Sequence, residues 1–289
     1  MATKEQNVAW VIPSASKLTQ SAFPTPTPGP SQALVRITAV SLNFRDHLVF
    51  HHSAAYPLQT APNLIPCSDG AGTVVAAGAS SKWRNHIGAS VIVNANTWMD
   101  GDVGDGYVFD AVMGGGEANG TLARYLALDD ERILEGPKGL SDAEAAGMVT
   151  AGLTAFNALF EAPGGVGKPA KGVTVLTQGT GGVSCFAIQL ASAAGATVIA
   201  TSSTDEKLEV AKKLGATHAD LIPAILFGAK TIRGVLGAGS KAMNERFVRF
   251  VEEHQIRPVV AVEYEFEQAA EAFARLEKQS EIGKIVIRV

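Results

Sequence analysis

Only two cysteines, Cys67 and Cys185, occur in 289 residues. Two thiols cannot build a disulfide framework or a four-cysteine zinc cluster, so both are expected to serve as small buried side chains. No charge of one sign dominates. Lys and Arg together number 24 against 28 Asp and Glu, a net charge of -4, with a pI near 5.9. That balance gives no electrostatic case for nucleic acid or a membrane surface as partner. No uncharged run reaches the ~18 residues of a membrane span, and Met1-Ala-Thr-Lys-Glu-Gln-Asn7 lacks the apolar core of a signal peptide, so a cytoplasmic protein is expected. The chain is 46% hydrophobic, enough for a large core and for two domains.

The most informative stretch is Val173-Thr-Val-Leu-Thr-Gln-Gly-Thr-Gly-Gly-Val-Ser184. Val173 to Thr177 reads as a buried parallel strand, the glycines as a tight turn, and Val183 to Ala194 as a helix ended by Gly195. Free backbone N–H groups and the positive end of a helix dipole meet at such a turn, which suits a phosphate-bearing ligand. The glycine fingerprint is imperfect, since Ser184 stands at its third glycine, but a second apolar run, Thr197 to Thr201, and a further helix ending near Gly215 complete two strand–helix units. Ser203 and Glu206 have the spacing of a capping box for that second helix. Gly179, Thr180, Gly181, Gly182 and Val183 are therefore candidate dinucleotide-binding residues. An acidic residue at the end of the second strand would bind the ribose of NAD. Thr201, Ser202 and Ser203 stand there instead, with Lys207 one turn on, and hydroxyls with an ammonium favour the 2′-phosphate of NADPH. Asp205 is read as a helix-start residue.

Before this stretch the chain reads as β structure. Ala33–Val40, Gly72–Ala76 and Ala89–Val93 are candidate strands, Pro24, Pro26, Pro28 and Pro30 hold an extended connection, and Asn96 to Gly120 reads as a long surface loop of a length that is often functional or mobile. A capping box at Ser141 and Glu144 opens a helical region through Phe160. After Gly215 come helices over Asn244–His254 and Glu267–Lys278. A final strand, Lys284–Val289, needs a sheet to join, and the N-terminal β region is the natural host.

Four motifs in order, Ala39-Val-Ser-Leu-Asn-Phe-Arg-Asp46, Leu64-Ile-Pro-Cys-Ser-Asp-Gly-Ala-Gly72, Gln178-Gly-Thr-Gly-Gly-Val-Ser184 and Gly283-Lys-Ile-Val-Ile287, resemble the medium-chain dehydrogenase/reductase superfamily in its zinc-free branch of quinone oxidoreductases and enoyl reductases. The resemblance spans nearly the whole chain. It implies an α/β protein with a GroES-like β domain from residues 1–140 and 257–289, and a Rossmann domain, a doubly wound parallel sheet, from 141–256. It further implies a small-molecule substrate, a homodimer, catalytic roles for Asn43, Arg45 and Asp46, and cofactor contacts from Phe44, Thr150 and Lys284. A turn held by Asx and Arg–Asp hydrogen bonds explains Asn43, Arg45 and Asp46 equally well. Many quinone-reductase relatives carry Tyr where this chain has Phe44, whose ring can pack on a nicotinamide but cannot donate a proton.

The same resemblance argues against a metal. Zinc-dependent members place a ligand cysteine where Asn43 stands and a ligand histidine where Ser68 stands, leaving Asp69 alone with a carboxylate. His47, His51 and His52, read as part of an extended strand, would point to opposite faces and are expected to be solvated or core-edge side chains rather than ligands of a shared metal. Compared with the family pattern, roughly fifty residues are missing near His218 to Leu221, just before Thr231–Leu236, and these would hold the third to fifth strands of the nucleotide domain. The leading expectation is an NADPH-dependent, zinc-independent reductase of enone- or quinone-like molecules. The alternative is a member that has lost redox function and acts as an isomerase-like enzyme or a small-molecule binder.

Overall fold

The computed structural model describes residues 6–101, 106–161, 168–217 and 238–289. The junction near His218 to Leu221 and the stretch Thr231–Leu236 lie outside the described residues. Among those described, no helix is long and apolar enough to cross a membrane.

A seven-stranded sheet dominates. Strand β3 (Gln32–Ser41) is its axis. One edge pairs antiparallel with β4 (Asp69–Ala77) along its length. The other edge is shared, with β6 (Tyr125–Asp129) on Gln32 to Arg36 and β11 (Lys284–Arg288) on Ala39 to Ser41. Beyond β4 lie β5 (Ser90–Val93) and β7 (Ile133–Glu135), and beyond β11 lies β10 (Val260–Tyr264), parallel to it. The C-terminal strand thus joins the N-terminal sheet, as its alternation requires. A separate hairpin, β1 (Asn7–Ser14) with β2 (Lys17–Phe23), packs Ala9, Trp10 and Val11 onto the sheet's core with Ile37, Val40, Phe273 and Ile287.

Helix α2 (Asp142–Phe160) is capped as its sequence predicts, with the Glu144 carboxylate accepting from Ser141 N–H at 2.9 Å. It is apolar around most of its circumference because it is buried on two sides. Ala143, Ala146 and Val149 meet Ala71, Ile92 and Val286 of the large sheet, while Met148, Leu153 and Phe156 meet Phe186 and Phe247 of the following helices. Gly152 permits the close approach, since a Cβ there would come within 2.4 Å of the Phe247 ring.

The nucleotide side holds β8 (Thr174–Gln178), α3 (Gly182–Ala193), β9 (Thr197–Thr201) and α4 (Asp205–Lys213), with β8 and β9 parallel and in register. Helix α5 (Lys241–Glu253) packs on α2, and α6 (Ala269–Glu277) lies against β11.

Several expectations are corrected. Strand β8 is not buried: β9 is its only strand neighbour among the described residues, and Leu176 is 40% exposed. Its apolar pattern is that of a central strand, but no strand among the described residues covers its other edge. The cap of α4 is Thr204, whose hydroxyl accepts from Lys207 N–H at 3.4 Å, rather than Ser203. Phe44–Phe50 is a helix, α1, not an extended strand. The Asn96–Gly120 loop is not all on the surface. Its end folds inward, because Gly114 and Gly115 let the backbone pass where a Cβ would strike Cys67 O at 2.2 Å and Arg45 Nη2 at 2.4 Å.

Candidate active site

The site forms where three turns meet: the start of α1, the glycine turn between β8 and α3, and the start of β11. Gly179 takes φ +81°, and a Cβ on Gly179 or Gly181 would meet nothing within 4 Å. The turn is therefore an open cradle in front of the α3 N-terminus, with the shape and polarity a pyrophosphate needs. A recess of about 390 Å³ beside it is lined by Gly179, Thr180, Gly181, Thr201, Ser202, Ser203 and Lys207, together with Gln279 and Glu281. The Ser202 and Thr180 hydroxyls lie 3.3 Å apart. Among the described residues Lys207 forms no ion pair, whereas Glu281 is neutralised by Arg275 at 2.6 Å.

A second recess, about 320 Å³, continues from this one past Gly181, Gly182 and Val183 to Phe44 and Lys284. A third, about 370 Å³, shares Asn43, Phe44 and Val183 with the second and runs on to Arg45, Tyr56, Ser68, Thr150 and Tyr107. The three form one trench from Lys207 to Tyr107. Phe44 and Val183, 53% and 43% exposed, flank its middle with apolar surface.

Lys284 ties the three turns together. Its stem crosses Gly182, where a Cβ would come within 2.7 Å of Lys284 Cδ. Its Nζ donates to Leu42 O at 2.6 Å and to Asn43 Oδ1 at 2.5 Å. An ammonium can only donate, so this contact fixes which end of the Asn43 amide is oxygen. Asn43 Nδ2 then remains a buried donor without a protein partner in the wall of the third recess. Burial lowers the Lys284 pKa, opposed by the nearby Asp69 and Asp46 carboxylates. Gly283, at φ +90°, donates to Thr180 O at 3.1 Å and holds β11 to the glycine turn.

Asp46 does not reach the trench. It is fully buried, and its carboxylate accepts from Asn43 N–H at 2.7 Å as part of the α1 cap. Burial is the main cause that raises its pKa to about 6, while Arg45 and the Asn43 hydrogen bond pull the other way. Arg45 lies over the Tyr56 ring at 5.5 Å and donates to Met113 O at 2.8 Å, while its Nε lies 3.9 Å from Asp46 Oδ1 and neither Nε nor Nη2 makes a hydrogen bond. Burial and the neighbouring Tyr56 raise the Tyr107 pKa, so that phenol stays protonated at neutral pH. Sequence reasoning missed Tyr56, Tyr107, Asn94 and Phe109, all lining the third recess. Each comes from an irregular segment where no periodicity signals direction.

Where a zinc ion would sit, the residues do not fit one. Asp69 accepts from Thr150 N–H at 3.0 Å, Thr150 Oγ1 at 2.5 Å and Ser68 Oγ at 2.9 Å, and Asn43 Oδ1 is occupied by Lys284. Both carboxylate oxygens are engaged, and a buried ammonium already supplies positive charge beside them. The premise about the histidines is overturned: His47 lies on α1 and His51, its C-cap, is one helical turn on with its ring against that of His47, while His52 lies beyond the cap.

Comparison with known proteins agrees with this architecture. Residues 29–138 match the alcohol dehydrogenase GroES-like domain and residues 182–220 the zinc-binding dehydrogenase domain. A zinc-type alcohol dehydrogenase-like protein of Schizosaccharomyces pombe is 32% identical over 324 aligned positions, covering 90% of this chain and 91% of that protein. Nine-tenths of 289 residues fill about 260 of those 324 positions, so the relative carries roughly sixty residues that this chain lacks. A 2-methylene-furan-3-one reductase of Solanum lycopersicum is 28% identical, covering 89% of this chain and 71% of that protein. A crystal structure from Sinorhizobium meliloti 1021, described provisionally as an alcohol dehydrogenase, superposes with a TM-score of 0.84 at 30% identity, covering 100% of both chains. The chain belongs to the medium-chain dehydrogenase/reductase superfamily of oxidoreductases, an α/β fold of a GroES-like sheet and a Rossmann-type nucleotide unit.

Proposed function

We propose that this protein is an NADPH-dependent, zinc-independent reductase of enone- or quinone-like small molecules, with residues 1–140 and 257–289 as its catalytic domain and 141–256 as a shortened nucleotide domain. The observation that carries this reading is the continuous trench from Lys207 through the glycine turn to Asn43 and Tyr107. Gly179 to Val183 would hold the pyrophosphate, with Ser202, Ser203 and Lys207 at the 2′-phosphate. Phe44 and Val183 would flank the nicotinamide, and Thr150 would border it. When bound, NADPH supplies the hydride. The tomato relative's name, a reductase of a conjugated ketone, supports the substrate class.

The chain's own task is to place the acceptor and hold its developing charge. As the carbon–carbon double bond is reduced at its far end, negative charge moves to the carbonyl oxygen, and Asn43 Nδ2–H, aimed by Lys284, is the donor placed to receive it. Arg45 adds positive potential, and Tyr107 is a neutral second donor. Solvent supplies the proton for the remaining carbon. Asp46 acts through the α1 cap rather than on substrate. In an assay of NADPH oxidation with phenanthrenequinone or a cyclic enone, Asn43→Ala is expected to lower kcat about 10²-fold with little change in NADPH affinity. An unchanged kcat would remove Asn43 from this role.

A second reading, a member acting as a binder or a non-redox enzyme, is favoured by the half-exposed β8. Turnover of NADPH abolished by Lys207→Glu rules it out.

A further inference from the structure

Beside the trench, and outside its lining, the last turn of α1 meets the C-terminal end of α6. His47 and His51, four residues apart, present their rings on one face with centroids 4.6 Å apart. Glu277 comes from α6, where its Oε1 lies 2.6 Å from His51 Nε2. One ligand atom from each of His47, His51 and Glu277 lies within 4.8 Å of the others, and among the described residues this is the one such group of His, Cys, Asp or Glu. The far nitrogen of His51, Nδ1, is 2.6 Å from Ser16 Oγ. His47 Nδ1 is buried and unpartnered.

We infer that His47, His51 and Glu277 form a zinc-class metal site that clamps α1 to α6, separate from the reaction trench. The donor set is two imidazole nitrogens and one carboxylate oxygen, which selects borderline ions such as Zn²⁺ over Mg²⁺ or Ca²⁺. Three protein ligands leave a fourth position for water. Ser16 provides the outer hydrogen bond that orients a ligating imidazole: with the Nδ1 hydrogen donated to Ser16 Oγ, the Nε2 lone pair faces Glu277. Tetrahedral bonds of about 2.1 Å put neighbouring ligand atoms about 3.4 Å apart. The His51–Glu277 pair needs to open by less than an ångström, and the 4.8 Å limit needs to close by side-chain rotation. Both moves are open to side chains that are 30% and 41% exposed. An ion here takes the place of the hydrogen that now bridges His51 and Glu277.

This site cannot act as a Lewis acid on the substrate. His47 is one helical turn from Asn43 and its ring centroid lies 5.8 Å from that of Phe44, yet none of His47, His51 and Glu277 lines the three recesses. Its effect is to fix the helix that carries Asn43, Phe44 and Arg45 against α6, joining segments 226 residues apart in sequence. Zinc found in the purified protein would belong here.

The test is calorimetric titration of the tag-free, chelator-treated full chain with ZnCl₂, alongside thermal unfolding. One Zn²⁺ per chain is expected, with a Tm rise of roughly 5 °C at a hundredfold excess over Kd, and no shift with Mg²⁺. His47→Ala and His51→Ala should each weaken zinc at least tenfold, and Ser16→Ala several-fold. Glu277→Gln alters an exposed side chain and should weaken zinc at least tenfold without disturbing the fold. Asn43→Ala should leave zinc affinity unchanged. Absence of zinc uptake at millimolar ZnCl₂ overturns the site. So does stoichiometric zinc that survives the histidine and Glu277 substitutions but is lost with Asn43→Ala.

Discussion

Two strands read alike in sequence and end in different circumstances. β3 of the large sheet is paired on both edges and buries Ala33, Val35, Ile37 and Val40. β8 of the nucleotide side has the same apolar, β-branched character, yet β9 is its only strand partner among the described residues and Leu176 is 40% exposed. One sheet is built from both ends of the chain, while the other has two strands among the described residues. Function survives on the open side only if its chemistry depends on turns rather than on the sheet. The glycine turn meets that condition, because α3, the Gly283–Thr180 hydrogen bond and the Lys284 stem anchor it from the complete side.

This contrast can be probed by substitution. Ile37→Ala is expected to cost about 2 to 5 kcal/mol in chemical denaturation, since a packed core cannot close the cavity. Val175→Ala, on half-buried β8, should cost about 1 kcal/mol or less. Equal losses would mean that β8 is as enclosed as β3.

Gly181→Val separates fold from binding. A Cβ at Gly181 meets open space and its φ is -73°, so Tm should fall by no more than about 3 °C. The side chain would fill the pyrophosphate cradle, and NADPH affinity should drop more than tenfold. Retained affinity would place the cofactor elsewhere.

Asp46 gives a pH signature. Its folded pKa of about 6 lies above the ordinary 3.8, so the folded state holds its proton more tightly than the unfolded chain does. The contribution is fully present below pH about 4 and is lost as pH rises through about 6. Asp46→Asn keeps an acceptor for Asn43 N–H and removes the titration. Comparison of Tm against pH for the two proteins should show the variant gaining relative to wild type between pH 4 and 6. Parallel curves would contradict the burial-driven shift.

The smallest effect concerns the open edge. Leu176→Lys should change stability by less than about 0.5 kcal/mol and reduce self-association in sedimentation. A large loss of stability would show that Leu176 is packed within the monomer.

Much of this was legible in the sequence. The glycine turn, β9, the Ser141–Glu144 cap and the pairing of β11 with the first sheet followed from local chemistry and alternation. α1 was missed because Asn43-Phe-Arg-Asp46 reads as a turn, and with it the meeting of His47, His51 and Glu277. For Asp46 the sequence leaves a catalytic role and a turn hydrogen bond equally open, and its spacing from Asn43 is that of the helix cap it forms. The inward fold of Gly114 and Gly115 was hidden because glycine serves both an exposed loop and a close backbone approach. The exposure of β8 depends on which strands lie beside it, and its own apolar pattern, that of a buried strand, does not report this.

The central claim is that the shortened nucleotide side still holds a dinucleotide through its turn. Fluorescence titration with NADPH and NADH, on wild type and Lys207→Glu, tests it most directly. The account predicts saturable binding that prefers NADPH, with that preference lost and NADPH affinity down at least tenfold after charge reversal. No saturable binding of either dinucleotide at millimolar concentration would contradict it.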